Sequence, residues 1–451
     1  MFGSGRAILT LRESYRSDLR QAKRAAEFKY VRFHAVLDDE VGVYDEDAQG
    51  HPVYDFSYVD QIYDGLLANG VRPFVELSFM PNKLAAKEIL HPFWYKQNVS
   101  PPKDWGKWQG LIGAYAQHLV DRYGIDEVSN WYFEVWNEPN LDFWAGEPKQ
   151  ATYWELYDGA ARAIKNVNVR LRVGGPATAQ AAWVDEFIRH CTQNHVPVDF
   201  VSTHVYGDDP VDKVFGRDEP VARDKLVCRA VRKVHDEIAD SSSPRLPLIV
   251  SEFNATYQTL PDITDSAYIG PWLADTIRQC DGLTDMMSYW TFSDVFEEQG
   301  VIRTPFYGGY GLVAEDGIPK PAYNAFKLLH KLGGRRITVD SDSAVATRGK
   351  QGLVLAVWNY EPPGKDGPSS TIKLRFKAFS AKRAFIFYVD HDHGDVHLAY
   401  ERMGSPRYPT AQQIKALRNA AELPAPRTKP LQNNELTITL PAHGLAVIEV
   451  R

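Results

Sequence analysis

Two glutamates close apolar runs far apart in the chain. One stands in Trp136-Asn137-Glu138-Pro139-Asn140, the other in Val250-Ser251-Glu252-Phe253-Asn254. A carboxylate on an apolar strand is costly to bury unless it is paired or neutral. Alone, either could cap a following helix or form half of an ion pair. Together they match the needs of glycoside hydrolysis by double displacement. One carboxylate attacks the anomeric carbon, while a second, kept protonated by its surroundings, protonates the leaving oxygen and later deprotonates water. A retaining site holds such carboxyls about 5–5.5 Å apart and an inverting one about 6.5–9.5 Å apart. Asn137, beside the first glutamate, has an amide able to bond a sugar hydroxyl. His204 and Tyr206 are two apart on one expected strand, so they face the same side.

The elements that must carry these residues repeat in a simple order. Up to about residue 330, short apolar strands alternate with amphipathic helices. The strand candidates are 30–34, 72–77, 131–136, 171–175, 198–202, 247–251 and 286–290. Most are too continuously apolar to have a wet face, which is how parallel strands covered by helices read. Helical stretches run over 16–28, 59–69, 108–123, 152–166, 182–194, 224–239 and 266–280. Seven strand–helix units are visible, and a closed (β/α)8 TIM barrel needs eight. The eighth strand has only Met1-Phe2-Gly3 to occupy. The open doubly wound fold is the alternative, but it usually carries a glycine-rich phosphate loop after its first strand, and this chain shows none there. Glu138 and Glu252 would then lie at the carboxyl mouth of the barrel, where such folds build their sites.

The texture changes near Pro321. A last helix over 323–332 gives way to β-rich stretches at 352–358, 370–376, 383–389, 435–440 and 444–450. Turn residues such as Pro362-Pro363-Gly364-Lys365-Asp366-Gly367 separate them, as in a smaller antiparallel β-sandwich. The expected organisation is an α/β barrel over 1–333 and a β-sandwich over 334–451, with a helical insertion near 410–421.

Composition narrows the function. The 451 residues carry a net charge of -7 and are 44% hydrophobic, so the chain is globular and its surface has no electrostatic drive toward nucleic acid or an anionic membrane. No apolar run reaches the ~18 residues of a membrane span. The start lacks the pattern of a signal peptide. As written this reads as cytoplasmic, or as periplasmic or secreted if the N-terminus is truncated. Cys191, Cys228 and Cys280 are widely spaced and are expected as three buried thiols, one bridge being the alternative. The 11 Trp, 23 Tyr and 21 Phe fill cores and also make flat platforms for sugar rings. Asp390-His391-Asp392-His393-Gly394-Asp395 has metal-capable side chains, but a polar turn of the sandwich is the expected reading.

Longer stretches carry a family likeness. They include Arg32-Phe33-His34 with Asp38-Asp39-Glu40-Val41-Gly42-Val43-Tyr44, Arg72 to Leu77 with Met80-Pro81, and Phe133 to Leu141. Val173-Gly174-Gly175-Pro176-Ala177, Thr203-His204-Val205-Tyr206, Ser251 to Asn254 and Ser288 to Glu298 follow in order. Through these the chain resembles glycoside hydrolase family 39, the β-xylosidase and α-L-iduronidase family of the retaining barrel glycosidases, and most of all its bacterial β-xylosidases. The resemblance implies Glu138 as general acid/base, Glu252 as nucleophile and a retaining outcome. It implies that Met1-Phe2-Gly3 is the remnant of strand one, since members usually have several tens of residues before it. His204, Trp290 and His34 become site residues, with Trp290 a platform beneath the sugar. Tyr206 would donate to the Glu252 carboxylate, and Phe143 would wall the site. Glu297 and Glu298 would bond sugar hydroxyls. No metal, nucleotide or redox cofactor is called for. The partner is a small carbohydrate, and a homo-oligomer is neither implied nor excluded. The implied activity is exo-acting release of xylose from xylo-oligosaccharides. An α-L-arabinoside, a uronic-acid glycoside or endo-acting hydrolysis of a polysaccharide are alternatives with the same chemistry. A carbohydrate-binding protein on an inactive barrel is the third.

Overall fold

The computed structural model describes residues 1–349, 352–364, 367–377 and 382–451. Eight parallel strands close a barrel in strict sequence order: β1 (Phe2–Ser4), β2 (Tyr30–Phe33), β3 (Arg72–Leu77), β4 (Tyr132–Val135), β5 (Arg172–Thr178), β6 (Phe200–Tyr206), β7 (Leu248–Asn254) and β8 (Met286–Tyr289). The three-residue β1 completes the circle, pairing Phe2 with Val31 on one side and with Tyr289 on the other. Gly3 makes this closure possible. A Cβ there would lie 1.9 Å from the Trp290 ring, so only glycine lets that indole lie across the strand.

Helices α1 (Glu13–Ala26), α2 (Ser57–Ala68), α3 (Trp105–Tyr123), α4 (Lys149–Val167), α5 (Val184–Gln193), α6 (Arg223–Ala239), α7 (Ile269–Cys280) and α8 (Pro321–Leu329) follow the strands. Their ends are marked locally. The Asp104 carboxylate accepts from the Lys107 backbone N–H at 3.0 Å to start α3, and Gly124, at φ +81°, stops it.

Strand alternation sorts the barrel interior into layers. Phe74, Phe200 and Ile249 pack with Tyr30, Tyr132 and Met286 in an apolar floor. Two residues further along three of these strands stand Arg32, Glu76 and Glu134, all buried. Two further along β2 comes His34. On these three strands the row therefore runs from apolar through charged toward the mouth.

Three strands reach further than their apolar runs indicated. β6 continues to Tyr206 and β7 to Asn254, paired through His204 opposite Glu252 and Tyr206 opposite Asn254, after a register shift between Thr203 and His204. β5 likewise runs to Thr178. These extensions mix polar with apolar residues because they carry the mouth, so they fall outside the continuous apolar runs that mark the strands.

The C-terminal sheets are antiparallel. One has six strands in the order β9 (Arg336–Ile337), β10 (Ala344–Gly349), β11 (Gly352–Asn359), β16 (Gly444–Val450), β13 (Arg383–Val389), β14 (Arg427–Pro430). The other pairs β12 (Ser370–Arg375) with β15 (Glu435–Leu440). Leu355, Val357, Ile386 and Ile448 of the larger sheet meet Leu436, Ile438 and Leu440 of the smaller between them. The opposite face of the larger sheet, with Val354, Ala356, Val447 and Leu445, joins the barrel core. Lys365 and Asp366 of the expected turn lie outside the described residues. The insertion forms α10 (Ala411–Ala420), started by a reciprocal cap between Thr410 and Gln413. A further helix, α9 (Val396–Arg402), precedes it and is capped by Asp395. Both pack on Phe306, Ala314 and Ile318 rather than on the sandwich.

The cysteine expectation needs correction. Cys228 and Cys280 form a disulfide, with Cα atoms 5.2 Å apart, and Cys191 alone is a buried thiol. The two partners sit on α6 and at the end of α7, which are neighbours around the barrel, and their separation of 52 residues hid that contact. Among the described residues no helix is long and apolar enough to cross a membrane.

Candidate active site

Glu138 follows β4 in a tight turn. Its backbone N–H donates to Ala177 O at 2.8 Å, and the preceding Trp136 anchors the loop by donating from its indole to Phe143 O at 2.8 Å. Trp136 and Glu138 both have positive φ, +73° and +44°. Held this way, Glu138 turns its carboxyl toward β6 and β7. There Oε1 lies 3.0 Å from His204 Nδ1. Acceptor atoms of Glu138, His204 and Glu252 all fall within 4.8 Å of one another. Carboxyls that approach this closely suit a retaining pair better than an inverting one.

Glu252 is held from both oxygens. Arg32 Nη1 donates to Oε1 at 2.6 Å, and the Tyr206 hydroxyl donates to Oε2 at 2.7 Å. These two donors fix the carboxylate's plane and its position. Glu138 carries the opposite bias. Burial first, and the Glu252 charge second, push its pKa well above the usual carboxyl range. One carboxyl is thus biased toward its acid form while the other is gripped by two hydrogen-bond donors, an asymmetry suited to separate duties. Burial, aided by Arg32 and His34, drives His204 well below the usual histidine range, so it faces both acids as a neutral ring.

The other expected residues gather around this pair. Asn137 Oδ1 accepts from Arg32 Nη2 at 3.0 Å, which leaves the amide NH2 as its donor. His34 Nδ1 lies 2.7 Å from Glu76 Oε2, and Nε2 lies 3.8 Å from Glu252 Oε1 and 3.7 Å from Glu298 Oε1. Trp290 stands against the His34 ring at 4.8 Å and is edged by Phe296 at 5.7 Å. Phe143 is one layer back, stacked between His91 and Phe79, and Phe79 reaches the His34 ring at 6.1 Å.

The adjacent glutamates part company. Glu298 faces Glu252 and Glu76, and burial followed by those two charges pushes its pKa well up. Glu297 does not join it. Its carboxylate accepts from Arg12 at 2.5 and 3.0 Å and from Arg6 at 3.4 Å. Glu297, at φ +61°, belongs to an ion cluster that ties the 297–298 loop to the segment after β1. The two were expected to bond sugar together; the structure brings Glu298 to the Glu252 side and holds Glu297 in the arginine cluster instead.

Three charged residues escaped the sequence reading. Arg32, Glu76 and Glu134 form the middle layer of the barrel, with Arg32 Nε 2.5 Å from Glu134 Oε2 and Nη2 2.8 Å from Glu76 Oε2. Their signal was present: each is a charge inside an otherwise apolar strand. Tyr310 was also missed. It packs with Tyr206, Trp290 and Phe296, on a loop held by three buried charges. Lys320 Nζ lies 2.7 Å from Asp265 Oδ1 and 3.1 Å from Asp294 Oδ2 and donates to Gly309 O at 2.7 Å. The two aspartates accept from the N–H groups of Gly308 and Gly311, each at 2.7 Å.

Among the described residues, Glu138, His204 and Glu252 also form a group whose atoms could hold a cation. The Arg32 guanidinium on Glu252 Oε1 already supplies positive charge there. In the 390–395 turn, His393 Nδ1 lies 2.7 Å from Asp390, and Nε2 meets Arg427 at 3.1 Å. Both ring nitrogens are thus engaged with protein groups.

Comparisons with known proteins point to one family. The profile of "Glycosyl hydrolases family 39" matches residues 1–435. A β-xylosidase of Geobacillus stearothermophilus is 38% identical over 93% of this chain and 85% of its own length. One of Caldicellulosiruptor saccharolyticus is 37% identical over 99% of this chain and 93% of its own. A solved structure, a monomeric β-xylosidase from Caulobacter crescentus CB15, superposes with a TM-score of 0.90 at 36% identity, covering 100% of this chain and 95% of that one.

Proposed function

The chain belongs to glycosyl hydrolase family 39, and from that membership we propose that this glycoside hydrolase is an exo-acting β-xylosidase on short xylo-oligosaccharides. The observation that carries the chemistry is the approach of the Glu138 and Glu252 carboxyls within 4.8 Å, one biased toward its acid form and the other held by two donors. The likeness to the two bacterial β-xylosidases over nearly the whole chain supports the choice of sugar.

In the first step a Glu252 oxygen attacks the anomeric carbon. The bond from that carbon to the leaving oxygen breaks, and the Glu138 proton passes to the departing oxygen. The charge that Glu252 loses is the charge Arg32 and Tyr206 had been bonding. In the second step Glu138, now a carboxylate, takes a proton from water. The water oxygen bonds to the anomeric carbon, and Glu252 leaves as carboxylate, so two inversions restore the starting configuration. Asn137, His34 and Glu298 are the polar groups we assign to sugar hydroxyls. Trp290 is the surface under the ring, and Phe143 backs the wall.

The deciding experiment traps the intermediate with a 2-deoxy-2-fluoro-xyloside. The intact mass should rise by one fluoroxylosyl group, and the labelled peptide should contain Glu252. Label on another residue removes the nucleophile assignment. A β-glucoside turned over as fast as the β-xyloside removes the sugar assignment and leaves the chemistry standing.

A further inference from the structure

We propose that Glu134 is a positioning residue for the reaction: by gripping the Arg32 guanidinium from beneath, it sets how much of that cation's charge reaches the Glu252 carboxylate. This rests on the reading of Glu252 as nucleophile and deepens it.

The geometry is a division of one cation among three acids. The Arg32 side chain is wholly buried, and each of its nitrogens has an anion or amide partner. Nε faces Glu134 Oε2 at 2.5 Å, Nη1 faces Glu252 Oε1 at 2.6 Å, and Nη2 faces both Glu76 Oε2 at 2.8 Å and Asn137 Oδ1 at 3.0 Å. Burial opposes the guanidinium's charge, but Glu134, Glu76 and Glu252 outweigh it and hold it protonated. Charge–charge interactions at such distances are strong where water is excluded. Whatever charge Glu134 and Glu76 draw from Arg32 is therefore not available to Glu252.

Glu134 is placed to act only through others. It is the penultimate residue of β4, over the apolar floor, and is fully buried. Its Oε1 accepts from Ser251 Oγ at 2.6 Å, and Ser251 is the residue before the nucleophile. The clamp thus runs from β4 through Arg32 to Glu252 and returns through Ser251 to the same strand. Burial raises the Glu134 pKa, while Arg32 and Ser251 lower it. The groups facing Glu252 itself are Arg32, the Tyr206 hydroxyl, the rings of His34 and His204, and the carboxyls of Glu138 and Glu298.

Glu134→Gln keeps the shape and an acceptor oxygen for Arg32 and removes only the charge. Arg32 then acts more fully on Glu252, and one neighbouring anion is gone. Both effects favour the Glu252 carboxylate, so it ionises at lower pH and is a weaker nucleophile. The readout is the rate of inactivation by a 2,4-dinitrophenyl 2-deoxy-2-fluoro-xyloside as a function of pH, which requires ionised Glu252 but little help from the Glu138 proton. The acid limb should move down by about half to one pH unit, with a slower plateau, and Glu134→Asp should move it back toward wild type. If Glu134→Gln does not fold, Glu76→Gln, which faces the same guanidinium through Nη2, should shift the limb the same way. Wild-type label on a residue other than Glu252 overturns the functional reading and this inference with it. Label at Glu252 with an acid limb unmoved in the folded variant overturns this inference alone and leaves Glu134 as a counter-ion for a buried arginine.

Discussion

The His204 imidazole meets the Glu138 carboxyl at 3.0 Å, Nδ1 to Oε1, and is the third member of the group that joins Glu138 to Glu252. Because burial keeps this ring neutral, it orients Glu138 without supplying a cation that would strip its proton. The proton on Glu138 is then governed by burial and by the Glu252 charge.

That relationship sets a pH dependence. A raised pKa keeps Glu138 protonated below that value, so kcat/KM should hold there and fall as pH rises through it. Neutralising Glu252, by Glu252→Gln or by the fluoroxylosyl ester, removes the second cause of the elevation. The Glu138 pKa should then drop, as followed by carbon NMR titration of the carboxyl. A titration unchanged between free and esterified enzyme contradicts the coupling.

Glu138→Ala should separate substrates by their leaving groups. Xylobiose, which needs protonation, should lose about 10²- to 10⁴-fold in kcat/KM. A dinitrophenyl xyloside should form its covalent intermediate at a near-normal rate. Azide fits the space left by the carboxyl and should restore turnover, releasing β-xylosyl azide. Equal losses on both substrates speak against Glu138 as the acid.

Lys320 stands between Asp265 and Asp294, all three buried, and the Asp294 pKa is pushed up to about 6, by burial first and with Asp265 adding to the rise against Lys320. Lys320→Met should cost about 3–5 kcal/mol, because two buried carboxylates lose their cation. Adding Asp265→Asn and Asp294→Asn should recover part of this. Chemical denaturation measures both. A single variant as stable as wild type shows that the triad does not hold the Tyr310 loop.

The Cys228–Cys280 bridge should stabilise the fold. For a closed loop of 52 residues the chain-entropy estimate is about 4 kcal/mol, an upper figure for a real bridge. Cys228→Ser with Cys280→Ser should lower the melting temperature and remove its sensitivity to reductant. A wild-type melting temperature indifferent to reductant, with both thiols then alkylated, argues against any stabilising role.

How much of this was legible in one dimension differs by residue. Glu138 and Glu252 were readable because a carboxylate ending an apolar run is a local anomaly, and Tyr206 because it lies two from His204. The barrel was readable from the alternation of strand and helix. Arg32, Glu76 and Glu134 show as odd charges in strands, but their meaning depends on three strands facing inward at one level. Glu297 and Glu298 are neighbours in the chain and yet serve different clusters.

The order of elements followed from periodicity and the two glutamates stood out by residue type, since those express local backbone preference and the cost of burying charge. Which carboxyls share a cation, which cysteines meet and which of two adjacent glutamates faces the cavity were decided only when the barrel closed. Those outcomes rest on distances between segments separated by tens to hundreds of residues, and strand spacing carries no record of them.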